Sequence, residues 1–460
     1  MKKDTSEKRF VFSQIKNSVI NTALQRLARN SGWLLAAESV AAIMSVIQFP
    51  LVARLLGAEG YGKATLIVGW VGLVGSLLGI QTRKTIVKYL SLYLSHNQNL
   101  QAVAIVKLGL LLNISMATVT CVAMYIIAPA LSLWLLDSTD GALLFRIIIL
   151  RDFFASTAGT STSILRVLNH FKWLSIVNAL SSISTFVLVA IALLNRFEVI
   201  GYLTAISAVS ITQSIILLLY SNNKLQTQCN VRIWTAKLGV LQQHYDEIRI
   251  MLISMKLDGL RKIATDKADV VILGLFVNMQ SIGLYKMGKQ LATYVTRLSN
   301  PIYSAIYPEL ANLYHERGKE YIPQFVGSIT RWMLLAMFIL TTLLLSIAGT
   351  LVPLVFGNEY IPALPIFYLI MLMHIWLVLI WAPGLMLTFG KARQLMSINL
   401  TSAAIMMGLL FILIPIWGIN GAAIALVTNY WIWSGLILWY ISRIPDFTLW
   451  PGRTQSKHNI

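Results

Sequence analysis

The sequence predicts an all-α polytopic membrane protein of about twelve transmembrane helices in two parallel six-helix repeats. Three observations carry that fold class. Of 460 residues, 57% are hydrophobic and only 12% charged, whereas a soluble domain carries about 25% charged residues. Apolar segments long enough to cross a bilayer follow one another through short polar joints. Similar strings also recur at nearly one offset along the chain.

Residues 1–30 are basic and lack the short apolar core and cleavage site of a signal peptide. Phe12, Ile15, Val19, Ala23 and Leu27 share one helical face, which fits a helix on the membrane surface as well as a plain cytoplasmic leader. Six crossings are read within residues 31–220: 31–53, 64–82, 102–128, 141–165, 173–194 and 200–220. A polar linker, 221–250, leads to six more within residues 251–442: 251–277, 281–310, 329–350, 363–389, 395–416 and 419–442. Residues 443–460 form a tail. With the N-terminus inside, only Arg54, Lys63 and Arg196 fall in outer joints, while the many remaining joint cations fall inside. That asymmetry places both termini and the linker in the cytoplasm.

The repeat rests on three matches. Leu56–Gly62 aligns with Val277–Gly283 at an offset of 221. Leu174–Ser182 aligns with Met396–Ala403, given a one-residue gap, near 222, and Phe197–Leu203 with Gly418–Ala423 at 220, setting Gly201 under Gly421. An even number of crossings per half makes the repeats parallel, related by an axis along the membrane normal.

The seventh and eighth crossings are too charged for lipid. Their ionisable residues include Lys256, Asp258, Arg261, Lys262, Asp266, Lys267, Asp269, Lys286, Lys289 and Arg297. At about 100° per residue, Asp258, Lys262 and Asp269 share a sector, flanked by Arg261 and Asp266, with Lys256 and Lys267 nearly opposite. In the eighth crossing Lys286, Lys289 and Arg297 continue through Thr293, Asn300 and Ser304 as one polar stripe. Each charge at the bilayer centre costs roughly 2.5–3.5 kcal/mol. Three arrangements avoid that cost: a hairpin on the cytoplasmic surface, a buried ion-pair network such as Asp258–Lys262, or a water-filled cavity for a charged substrate. The repeat weighs against the first, because it equates this hairpin with the two opening crossings.

Asp258, Asp266 and Asp269 are the candidates for ion coupling, since burial raises a carboxylate pKa and neighbouring cations lower it. Asp269 is the deepest, with Lys262 on its face. In the fourth crossing Arg151 and Asp152 point in different directions, so each is expected to meet partners on other helices, as structural network or cavity lining. Glu38 is a lone carboxylate near the cytoplasmic end of its helix. Two cysteines exclude a disulfide framework, and six scattered histidines show no metal-ligand spacing. The net charge of +19 sits mostly in joints and marks no nucleic-acid patch. The tryptophans Trp376, Trp381, Trp431, Trp433, Trp439 and Trp450 read as interfacial anchors or packing.

The strings ARLLGAEGYGKATLIVGWVGLV, DVVILGLFVNMQSIGLYKMGKQLATYV and IPIWGINGAAIALV resemble the polysaccharide flippases of the multidrug/oligosaccharidyl-lipid/polysaccharide exporter superfamily. The resemblance runs from about Asn30 to Arg443. It implies two six-helix lobes forming a V around a central cavity in the inner (plasma) membrane. It also implies outward movement of an undecaprenyl-diphosphate-linked oligosaccharide by alternating access, with a polysaccharide polymerase and export proteins as partners and no cofactor. Lys256, Arg261, Lys262, Lys267, Lys286, Lys289, Arg297 and Arg151 would then meet the anionic lipid.

Other readings stay open. A glycan polymerase or ligase would need a sizeable outer loop with acid–base groups, and the outer joints here are short and nearly uncharged. A cation-coupled multidrug exporter would favour an acidic cavity, whereas cations outnumber acids here. A peptidoglycan-precursor lipid flippase would by resemblance carry two further crossings.

Overall fold

The computed structural model describes residues 3–139 and 141–444, with side chains before Gly32 and at several later positions outside that description. Outside it fall the tail from Pro445 and the side chains of Asp258, Arg261, Lys262, Asp266, Arg297 and Trp376. The described residues form helices and turns, with no strand among them.

Six described helices are long and apolar enough to cross a membrane, two of them being Gly32–Leu78 and Ala392–Ser442. At ~1.5 Å per residue these two run to about 70 and 77 Å, over twice the ~30 Å hydrocarbon core, so each holds two crossings. The first is the apolar part of α1 (Lys3–Leu78) and breaks at Gly57 (φ 68°). The second belongs to α14 (Ala392–Ser442), which breaks at Gly418 (φ 54°). The other single-helix crossings are α3 (Asn99–Leu136), α6 (Phe171–Leu194), α7 (Glu198–Cys229) and α11 (Ile322–Phe356). Four more crossings are interrupted or polar. They are α4 (Gly141–Ala155) with α5 (Ala158–Val167), α8 (Tyr245–Asp266) with α9 (Ala268–Phe276), α10 (Met279–Arg317), and α12 (Leu364–Met371) continuing into α13 (Ala382–Thr388). The remaining helix, α2 (Arg83–Ser95), carries the second crossing onward past a break. These elements account for the twelve crossings read from the sequence.

Asparagine closes several helices, as its short side chain tolerates left-handed backbone. Asn97, Asn169 and Asn230 have φ of 55°, 59° and 54°. At the start of α10 the Asn278 side chain accepts from the Ser281 amide at 2.9 Å, satisfying an otherwise unpaired first-turn donor. Large apolar side chains line the outside: Trp332 is 73% exposed and Leu354 72%. Such a surface suits lipid as its solvent.

Packing divides the chain into two compact units. One comprises Met1–Phe49, Leu78–Ile126 and Arg146–Lys256, the other Pro50–Leu77, Ile127–Phe145 and Leu257–Ile460. This division follows packing, whereas the sequence division into 31–220 and 251–442 follows the repeat. In the first unit the linker is more ordered than its polarity suggests. Helix α7 runs on to Cys229, and short 3-10 turns follow at Ile233–Thr235 and Leu238–His244. Ile233, Ala236, Leu241 and Ile248 are buried with Ile86, Tyr89 and Tyr93 of α2 and with α3. Lys107 donates to the carbonyls of Trp234 and Ala236, both at 2.8 Å. Tyr89 donates to Glu247 at 3.0 Å, and Tyr93 meets His244 at 3.2 Å. Burial, and then the Glu247 carboxylate, push the Tyr89 hydroxyl up to about 12, so it remains a donor at any physiological pH.

The second unit displays the repeat as a reciprocal contact. A Cβ on Gly62 would overlap the Met279 carbonyl oxygen, and a Cβ on Gly283 the Ala58 carbonyl oxygen. Met279 and Gly283 stand 221 residues beyond Ala58 and Gly62. Each helix start therefore offers the other the same pair of positions, as two related copies facing across an approximate two-fold must. Gly201 and Gly421 also sit at crowded helix starts, since a Cβ on Gly201 would overlap Phe197 at the cap of its own helix and one on Gly421 the Leu413 carbonyl oxygen before the break.

Candidate functional site

The charged hairpin is built from α8, α9 and α10. The break between α8 and α9 falls at Lys267, whose φ of −126° and ψ of −28° leave the helical range. The next helix starts two residues before a cluster of apolar side chains, and Asp269 lies in its first turn, where the helix dipole favours an anion. Asp269 is fully buried. One carboxylate oxygen accepts from the Val270 amide at 2.9 Å, and the other from the Tyr285 hydroxyl at 2.5 Å. Lys289 completes the set as a salt bridge to that second oxygen. Tyr285 and Lys289 are one turn apart on α10, so a single helix face presents both donors to α9. The charge of Lys286 also acts on the Asp269 carboxylate. One anion thus faces a buried hydroxyl, a bonded ammonium and a second cation nearby.

Two lysines of the same hairpin are held differently. In the second unit Lys267 donates from Nζ to the Gly72 carbonyl at 2.7 Å and to Ser76 Oγ at 2.9 Å. In the first unit Lys256 donates from Nζ to the Gly79 carbonyl at 2.7 Å. Gly79 follows the last residue of α1, and residues 79–82 are not helical, so this carbonyl lies among those a helix end leaves without an intrahelical donor. Cations are favoured there by the helix dipole.

Arg151 corrects an expectation. Its Nε and Nη2 donate to the neighbouring Asp152 carboxylate at 2.9 and 2.7 Å, because a long guanidinium stem folds back where a Cβ direction alone would separate the two. Arg146 instead stacks on the Tyr125 ring, 4.4 Å from its centroid. Glu38 is exposed. Trp381 and Trp433 serve packing, each donating its indole N–H, to Thr330 at 3.0 Å and Asn399 at 2.9 Å, while Trp431 and Trp439 are exposed. The sequence reading passed over Tyr285, which looked like one more aromatic in an apolar run. It also passed over Gly72, Ser76 and Gly79, small residues whose partners lie far away in the chain. Tyr285 four residues before Lys289 was the available signal.

The chain matches the family model described as polysaccharide biosynthesis protein over residues 27–314. No curated protein matches it. Among solved structures it is similar to a multidrug resistance MATE family transporter of the MOP superfamily in an inward-facing conformation. That similarity has a TM-score of 0.70 at 11% identity and covers 88% of this chain and 96% of the other. It is also similar to the lipid II flippase MurJ in an inward closed conformation, with a TM-score of 0.61 at 12% identity, covering 91% of this chain and 88% of the other. At these identities the likeness speaks for the fold.

Proposed function

The chain belongs to the polysaccharide biosynthesis protein family of the MOP exporters, a multi-pass membrane transporter rather than an enzyme, and on that premise we propose that it flips an undecaprenyl-diphosphate-linked oligosaccharide. Movement would run from the cytoplasmic to the outer leaflet of the inner membrane for surface polysaccharide assembly. One observation supports an anionic cargo above the rest. Seven Lys and Arg stand against four Asp and Glu in residues 251–310, and a diphosphate is a charged acceptor that lysine and arginine bind strongly, with Lys256 and Lys267 proposed among its contacts. Lys286, Lys289, Arg261, Lys262, Arg297 and Arg151 are proposed as further contacts. A cationic drug would be repelled by this excess, which disfavours a multidrug exporter. The likeness to a lipid II flippase keeps a peptidoglycan-precursor cargo as the second reading, and the family description favours the oligosaccharide.

The direct test reconstitutes the full chain in vesicles and follows outward movement of undecaprenyl-diphosphate oligosaccharide and of lipid II separately. Movement of the first alone supports this reading; movement of lipid II alone replaces it. Both termini and residues 221–250 are proposed to face the cytoplasm. Outside labelling of a cysteine at Gln228, in a chain with Cys121 and Cys229 replaced by serine, would reverse that topology.

Coupling to a cation gradient belongs to the same proposal. Moving a diphosphate outward opposes the membrane potential by roughly 2.3 kcal/mol per charge per 100 mV. Asp269 is the proposed coupling carboxylate, with Asp258 and Asp266 as alternatives. Its proposed exchange partner is Lys289 with Tyr285. A pH profile of transport unchanged by Asp269→Asn would remove Asp269 from the coupling step.

A further inference from the structure

At one membrane end of the first unit, lysines and aromatic rings meet from three junctions that lie far apart in the chain. Counting crossings, the start of the first, the joint between the fourth and fifth, and the end of the sixth share that end. Trp33 belongs to the first of these, His170, Lys172 and Trp173 to the second, Tyr220 and Lys224 to the third. The Lys172 ammonium lies over the Trp33 ring, 5.4 Å from its centroid, and the Lys224 ammonium over the Tyr220 ring at 5.5 Å. Trp173 packs on Tyr220 at 4.9 Å, and His170 meets the same ring edge-on at 5.7 Å. Leu34 and Tyr220 also pack against the buried Leu174 and Leu217, so one small core fixes all three junctions. Trp33 and Trp173 remain exposed.

The charge here is one-sided. Between Asp152 and Asp246 the sole acid is Glu198, which opens α7 at the opposite membrane end. Among the described residues neither Lys172 nor Lys224 forms an ion pair, and each lies against a ring. A ring holds an ammonium weakly and does not take up its three donors as oxygen acceptors would. Burial, and then the Lys224 charge, hold the His170 imidazole below its ordinary value, which leaves the two lysines as the cations of the cluster at neutral pH. We propose that Lys172 and Lys224, flanked by Trp33 and Trp173, bind the phosphate of an anionic phospholipid of the surrounding bilayer. Phosphate supplies the charged oxygens that an ammonium prefers, and each stem can stay on its ring while the head turns to them. The exposed indoles select a lipid over a soluble phosphate, because indole sits at headgroup depth with its apolar body toward the acyl chains. None of these residues belongs to the proposed cargo contacts, so the inference stands or falls apart from the anionic-cargo reading.

The test titrates the purified full chain in detergent with phosphatidylglycerol or with zwitterionic phosphatidylcholine and counts retained lipids by native mass spectrometry. Wild type should retain phosphatidylglycerol in preference. Lys172→Gln and Lys224→Gln should each weaken that binding about fivefold, the worth of ~1 kcal/mol per lysine at a lipid surface. Together they should weaken it about 25-fold by the same constant, with phosphatidylcholine unchanged. Lys172→Arg with Lys224→Arg keeps both charges and should bind as wild type does; loss of binding there would mean a packing role and overturn the site. Arg232→Gln with Lys237→Gln removes the same charge from exposed positions of the linker and should change binding less than about twofold, since screening limits charges at a distance. An equal loss in that pair would reduce the effect to net charge and overturn the site. So would phosphatidylglycerol binding that the double glutamine variant at 172 and 224 leaves intact. Inorganic phosphate that displaces the lysine-dependent lipid would make the site one for a soluble anion and overturn the lipid. Displacement by undecaprenyl diphosphate at lower concentration than phosphatidylglycerol would assign both lysines to the cargo path and overturn it equally.

Discussion

Lys289 and Lys267 are two lysines of one hairpin that meet different groups. Lys289 is bonded to a fully buried carboxylate that also accepts from Tyr285, so a charge pair cancels within the protein. Lys267 donates to a backbone carbonyl and a serine hydroxyl of the second crossing. The difference separates two tasks that a count of membrane cations cannot. A neutralised pair holds α9 against α10 and is costly to break from one side. The contacts of Lys267 with a carbonyl and a hydroxyl join the seventh crossing to the second through weaker bonds than a buried ion pair.

The contrast breaks most visibly at Lys289. Lys289→Met leaves Asp269 buried beside Tyr285 without its cation, and stability should fall by about 3–5 kcal/mol. Asp269→Asn together with Lys289→Gln should recover most of that loss. Thermal unfolding in detergent decides it, and a Lys289→Met protein that melts with wild type would erase the distinction. A smaller loss, about 1.5–3 kcal/mol for one hydrogen bond to a charged acceptor, is expected for Tyr285→Phe by the same measurement. Lys267→Gln should stay within about 1 kcal/mol of wild type in stability while transport in vesicles, at matched protein, drops sharply. Equal loss of stability at 267 and 289 would mean that both lysines serve assembly alone. The smallest effect belongs to Arg151→Gln. Its pair with Asp152 is partly exposed, 19% and 31%, and such pairs contribute only about 0–1 kcal/mol.

Architecture was legible because the bilayer imposes it: crossing length and internal bonding leave helices as the solution for an apolar chain. The repeat was legible at its glycines, since Gly62 and Gly283 answer to a steric demand that tolerates no substitute. The site was legible only in composition. That Lys256, Lys267, Lys286 and Lys289 needed partners followed from membrane energetics, but helical periodicity fixes a residue's direction and not its partner. Asp269 with Lys262 looked natural within one helix, while the described partner, Lys289, comes from the next. Backbone acceptors such as Gly72 carry no sequence signature of their own. Arg151 and Asp152 misled for the opposite reason, because direction at Cβ says little about a side chain as long as arginine.

The division of α1 between the two compact units sets an order on biosynthesis. Pro50–Leu77 leaves the ribosome early, yet the residues it packs with, among them Lys267, Met279 and Gly283, are more than 180 positions further on. At ~5–20 residues per second, roughly 10–40 s pass before those partners exist. Over that interval, in the translocon or in lipid, the segment has only Ile127–Phe145 of its own unit to pack with. Its composition permits the wait, since between Pro50 and Leu77 the ionisable side chains other than tyrosine are Arg54, Glu59 and Lys63, all near the end joined by Gly57. The glycines that later admit a partner are meanwhile harmless, because lipid tails close over a groove that no helix has yet filled.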